Sequence, residues 1–91
     1  MFNLLFTESY DKKASRFLKQ HPDIKSQYEK CLKLLEVNPN HPSLRLHQLK
    51  GKMNNLHSVS INLAYRIVIY VIFKEKTIIP IDIGTHDELY Q

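Results

Sequence analysis

The apolar period of this chain changes once, at Asn38-Pro39-Asn40-His41-Pro42, and that change limits the folds open to it. Before it, apolar residues recur at helical spacing. After it, they alternate or run continuously, as strands do. A run of helix followed by a run of strand argues for α+β with an antiparallel sheet, and against alternating βαβ units.

On the helical side, Met1 to Phe6 reads as a short apolar strand. Thr7 offers an N-cap oxygen for a helix from Glu8 to about Gln20. Tyr10, Ala14, Phe17 and Leu18 lie on one face of it, and His21-Pro22 stops it. Asp23 is the next expected N-cap. Ile24, Tyr28, Cys31, Leu32 and Leu35 repeat the stripe, Leu34 widens it, and the helix ends by Val37. Few residues join the two helices, so an antiparallel hairpin is expected.

On the strand side, Leu44-Arg45-Leu46-His47 alternates, and Leu49 precedes a Gly51 turn. His57 to Asn62 alternates again. Tyr65 to Phe73 is nearly all apolar, as in a central strand covered on both faces. Lys74-Glu75-Lys76 is a charged turn. Thr77 to Ile83 is the hairpin partner, with Pro80 marking an edge or an unpaired N–H position. Thr85-His86-Asp87-Glu88 has the form of a capping box, so one last helical turn is expected. The predicted order is β-α-α-β-β-β-β over one domain, residues 1–91, with the helical hairpin on one face of the sheet.

Composition excludes several function classes. One Cys among 91 residues rules out an intramolecular disulfide and a Cys-rich zinc site. A lone thiol suits a reducing compartment. The first residues lack the basic start of a secretory signal, and no apolar stretch nears membrane-spanning length. The expected setting is the cytoplasm, with no membrane partner. The five histidines, His21, His41, His47, His57 and His86, include no i, i+3 or i, i+4 pair, so neither a metal nor another cofactor is expected. No Gly-x-Ser-x-Gly elbow or phosphate loop is present.

The charge of +4 is a modest excess that suits a solvated surface or an acidic partner such as nucleic acid. The basic residues of the helices, from Lys12 to Lys33, read as an exposed face. Those near the middle of the chain are more informative. Arg45 and His47 are expected to share a strand face, with Lys50 and Lys52 following and His57 nearby. Such an edge can bind phosphate, or can carry charge simply to resist aggregation.

Arg66 sits among Ile and Val, where an arginine needs a cleft or an acid such as Asp82. A two-residue Leu63-Ala64 loop would put it with Val59 and Ile61. A three-residue loop would put it with Ser58, Ser60 and Asn62, and is preferred because it makes a polar patch. His86 and Tyr90, four apart on the last turn, can face one way. The alternative for them is a solvated cap residue and a terminal plug. The patch of Arg45, His47, Lys50 and Lys52, together with Arg66 and His86, would supply what RNA cleavage needs without a metal. A base takes the ribose 2′-OH proton, an acid protonates the leaving oxygen, and a cation offsets phosphate charge.

The chain resembles the RelE/ParE superfamily of toxins from type II toxin–antitoxin modules, nearest to its YafQ-like and HigB-like RelE members. The resemblance spans nearly the whole chain. It rests on the strand–helix–helix start, Pro42 to Gly51, Ser58-Val59-Ser60-Ile61-Asn62, Tyr65-Arg66-Ile67-Val68 and Ile83 to Tyr90. It implies a microbial-RNase-like fold and a ribosome-dependent mRNA endonuclease that inhibits translation, leaving a 2′,3′-cyclic phosphate. It also implies a cognate antitoxin in a hetero-oligomer. By position, His47 matches a catalytic His before the Leu-x-Gly turn, and His86 the proton-transfer His after Gly-Thr. Tyr90 matches a terminal aromatic on the RNA, and Arg66 the strand Arg that stabilises phosphate charge. Ser58 and Ser60 stand where RelE toxins carry lysines, which implies weaker stabilisation of the transition state. A ParE-like gyrase inhibitor and a weakly catalytic homologue that mainly binds an antitoxin are the competing expectations.

Overall fold

The computed structural model describes residues 1–50 and 55–89. The elements run β1 (Asn3–Leu4), α1 (Glu8–Gln20), α2 (Lys25–Val37), β2 (His47–Gln48), β3 (Leu56–Ser60), β4 (Tyr65–Ile72), β5 (Thr77–Thr85) and α3 (His86–Leu89). The strands form one sheet in the order β1-β5-β4-β3-β2.

Helix α1 begins where its cap predicts. Thr7 Oγ1 accepts from the Tyr10 backbone N–H at 3.1 Å, satisfying one of the donors that a helix start leaves open. Tyr10, Ala14 and Phe17 are buried, as the stripe requires. Helix α2 starts differently. Pro22-Asp23-Ile24 forms a 3₁₀ turn, Ile24 occupies the N-cap, and no side chain caps the helix. Asp23 falls inside the tight turn that Pro22 initiates. Ile24, Tyr28, Cys31 and Leu35 are buried and join the α1 stripe in a single core. Tyr10 and Tyr28 meet there through their hydroxyls, 3.0 Å apart.

That core closes against one face of the sheet. Val59, Ile67, Ile69 and Ile78 have no exposed surface, and burial of each stabilises the fold by about 1.5–3 kcal/mol. The β3–β4 and β4–β5 pairs are antiparallel. Strand β1 is parallel to β5, with Asn3 opposite Thr77, so the sheet is mixed at that edge. A parallel neighbour needs a long connection, and here the chain passes through the helical hairpin and then β2, β3 and β4 before β5 returns beside β1.

Strand β5 carries a register shift opposite Val68 and Ile69, which leaves Ile81 between the pairs made by Pro80 and Asp82. Pro80 cannot donate to a ladder, and it lies where β1 no longer covers the strand.

The segment after Pro42 departs most from its alternating pattern. Pro42–Leu44 is a 3₁₀ turn, and Arg45 has φ 49°, in the left-handed region. His41 stabilises the turn, its Nδ1 accepting from the Ser43 backbone N–H at 3.2 Å and lying 2.8 Å from Ser43 Oγ. Strand pairing is confined to His47–Gln48. Arg45 and His47 therefore do not share a strand face.

Candidate functional site

Register decides which residues meet. Ser60 lies opposite Arg66, and Arg66 opposite Gly84. One step along, His47 lies opposite Ser58, and Ser58 opposite Val68. Directly paired residues share a face, so His47, Ser58, Ser60 and Arg66 stand together on the face turned away from Val59 and Ile67. The polar patch expected from the longer β3–β4 loop is present.

That register is held by Asn62, expected on the polar face with Ser58 and Ser60 but placed in the β3–β4 loop. Its Oδ1 accepts from the backbone N–H groups of Ala64 at 2.8 Å and Tyr65 at 2.9 Å. Its Nδ2 donates to Gln27 Oε1 on α2 at 2.9 Å. An Asn that folds its side chain onto the next two residues is a turn signal, and here it lengthens the loop by the residue that moves Arg66 across the sheet.

Arg66 is half-buried and donates from Nη1 to Ser58 Oγ at 3.3 Å. The ion pair with Asp82 does not form. Asp82 lies 3.9 Å from Lys13 instead and accepts from the Ile83 backbone N–H at 2.8 Å. Among the described residues no ion pair neutralises Arg66. A guanidinium held by a neutral hydroxyl keeps its full charge for an anionic ligand.

The strand end beside Arg66 is closed by the expected capping box. Thr85 N–H donates to Glu88 Oε1 at 2.9 Å, and Glu88 N–H donates to Thr85 Oγ1 at 3.2 Å. Acceptance of the Thr85 amide holds the Glu88 carboxyl below its usual range. Gly84 makes this approach possible, since a Cβ there would lie 3.3 Å from Glu88 Oε1. His86 therefore starts a fixed turn, two residues beyond the partner of Arg66. Its ring is exposed, with Nδ1 3.7 Å from Asp87 Oδ1.

The other expected residues are dispersed. His57 pairs with Ile69 and so faces the opposite side from Ser58. Its ring packs edge-on against Phe73, 5.6 Å between centroids, so it does not join Arg66. Arg45 and Lys50 are exposed outside the paired strands. Tyr90, Lys52 and the expected Gly51 turn lie outside the described residues. Among the described residues no group of three or more His, Cys, Asp or Glu is placed to hold a metal ion. No helix among them is long and apolar enough to cross a membrane.

Solved structures share this architecture. YafQ from E. coli strain BL21(DE3) is similar at 15% identity, with both chains fully covered and a TM-score of 0.79. The E. coli DinJ–YafQ toxin–antitoxin complex matches at 17% identity, covering 99% of this chain and 98% of that one, with a TM-score of 0.79. A copper-bound mutant toxin from Helicobacter pylori matches at 27% identity, covering 99% of this chain and all of the other, with a TM-score of 0.73. No curated protein sequence gives a significant match. The family model for the bacterial toxin of the type II toxin–antitoxin system, YafQ, matches residues 2–91. With family pattern and fold agreeing over the whole domain, the chain belongs to the YafQ family of type II toxin–antitoxin toxins.

Proposed function

We propose that this toxin is an mRNA endonuclease that works on translating ribosomes in the cytoplasm. The observation that carries the reading is Arg66 on a polar sheet face, without an acidic partner among the described residues, with His47 on one side and the capped Gly84–His86 tail on the other. Phosphodiester cleavage by an internal nucleophile needs these groups. The ribose 2′-oxygen attacks the adjacent phosphorus as its proton passes to a base. The bond from phosphorus to the 5′-oxygen breaks, that oxygen takes a proton, and a 2′,3′-cyclic phosphate remains.

Arg66 is assigned to the negative charge that gathers on the phosphoryl oxygens in the transition state, where a fixed cation acts most strongly. His86 and His47 are assigned to proton transfer, since imidazole can give or take a proton near neutrality. Tyr90 is assigned to the RNA base, by stacking. Ser58 sets the direction of Arg66 and adds no charge, so cleavage should be slower than in a site with more cations. The partner that silences the toxin is a cognate antitoxin, bound in a hetero-oligomer, as in the related DinJ–YafQ complex.

The test is primer extension on translated mRNA after induction, comparing wild type with His86→Ala. Codon-phased cuts that vanish in a folded variant are expected. Growth arrest with uncut mRNA would reject the reaction.

A further inference from the structure

A second basic feature lies at the end of β3, beyond the reach of β2. A recess of about 170 Å³ opens between α2, the Pro42–Leu44 turn and the last residues of β3, and Lys30 lines it. A second, of about 270 Å³, adjoins it and is lined by Arg45. Gln27, Ser43 and Ser60 line both, so the two form one groove. The bridge from Asn62 to Gln27 braces its wall.

The chemistry of the lining is one-sided. Two cationic residues from separate elements line the groove, with Ser, Gln and Asn beside them and apolar residues that include Leu34 and Ile61, and no acidic residue lines either part. Among the described residues neither Lys30 nor Arg45 is in an ion pair. Arg45 is held in a left-handed conformation, uncommon for a residue with a side chain. Ser60 is only 7% exposed, and its Oγ has no hydrogen-bond partner among the described residues. A buried hydroxyl is normally satisfied. The same Ser60 lies opposite Arg66, so the groove runs up to the row that carries the proposed reaction.

We infer that the groove between Lys30 and Arg45 is a phosphate subsite, which holds the backbone of single-stranded RNA on one side of the scissile bond. A backbone of evenly spaced anions suits cations set along an open groove. Leu63, 85% exposed at the rim, offers apolar surface to a base. The inference rests on the nuclease reading for the identity of the RNA, but its test does not depend on cleavage.

The probe is a short single-stranded RNA with 2′-O-methyl riboses, which cannot be cut by a 2′-oxygen. Its binding is measured free and on programmed ribosomes, for wild type, Lys30→Gln, Arg45→Gln and the double variant. Both residues are exposed, and an unchanged circular dichroism spectrum and melting midpoint confirm folding. The double variant is expected to bind roughly tenfold more weakly or worse, with the salt dependence of log K falling by about 0.7 for each cation removed. His86→Ala should bind this RNA as wild type does, which separates failure of the reaction from failure of the groove. A double variant that binds RNA with unchanged affinity and slope overturns the inference. So does a wild type that binds the RNA in neither format. Loss of affinity for the antitoxin alone would make the groove a protein interface and reject the phosphate assignment.

Discussion

The Arg66 guanidinium donates to Ser58 Oγ at 3.3 Å and has no carboxylate to neutralise it among the described residues. A neutral anchor directs the cation without consuming its charge. Arg66→Ala is therefore expected to slow cleavage by roughly 10²–10³, the usual effect of deleting one transition-state donor. Ser58→Ala removes only the anchor and should cost far less, with the fold retained. Single-turnover rates on programmed ribosomes measure both. Equal losses would mean that Ser58, not Arg66, meets the phosphate.

Glu88 offers a pH test of the tail. Its carboxyl is held below the usual 4.5 by the Thr85 amide. A depressed folded value means that the cap stabilises the turn above the unfolded value and is lost as pH falls through the folded one. The Thr85 amide resonance should move with a midpoint below 4.5, while core resonances stay fixed. Glu88→Gln keeps an acceptor oxygen and should keep the turn, whereas Glu88→Ala should fray it. A midpoint at or above 4.5 would contradict the hydrogen-bond assignment.

Gly84→Ala tests the same contact from the strand side. The added Cβ would sit 3.3 Å from Glu88 Oε1, so the Glu88 carboxylate must yield by a few tenths of an ångström and its bond to the Thr85 amide loosens. Cleavage is expected to fall while the melting midpoint changes little. Unaltered cleavage with a large loss of stability would place the role of Gly84 in the sheet.

The two tyrosine hydroxyls in the core form a coupled pair. They lie 3.0 Å apart, and burial pushes both ionisations up. Tyr28→Phe strands the Tyr10 hydroxyl and should cost about 1–3 kcal/mol. Tyr10→Phe should cost a similar amount, and the double variant less than the sum. Urea unfolding reads this cycle, and strict additivity would deny the pairing.

Cys31 is buried with Sγ 3.7 Å from the Ser60 carbonyl oxygen, and burial raises its ionisation to about 12. The thiol stays protonated at pH 8. Thiol reagents should label it only after unfolding, since the thiolate is the nucleophile. Cys31 lines the recess beside α2, and rapid labelling of the native protein would show that the recess admits the reagent to Sγ.

Much of the scaffold could be read from local pattern. The stripe Tyr10, Ala14, Phe17 and the stripe Ile24, Tyr28, Cys31, Leu35 name their own buried faces, because helical periodicity is a local property. The same holds for Thr7 and for the Thr85–Glu88 box, whose partners lie within three residues. Patterns that compete locally were misread. Asp23 lost its cap to the Pro22 turn, and Leu44 to His47 alternates in sequence yet bends through a left-handed Arg45.

Local pattern placed both helices, their apolar faces and the capped tail, because those features depend on neighbours within a few residues. Which polar residues meet depends on contacts between distant segments. His47, Ser58, Ser60 and Arg66 come from three strands, and their common face depends on strand register. A slip of one residue would send Arg66 to the core side. Asn62 prevents that slip by holding the loop, and its anchor, Gln27, lies on a helix 35 residues away. The same register turned His57 away from the site and left Ser60 buried beside a groove that no local pattern announces.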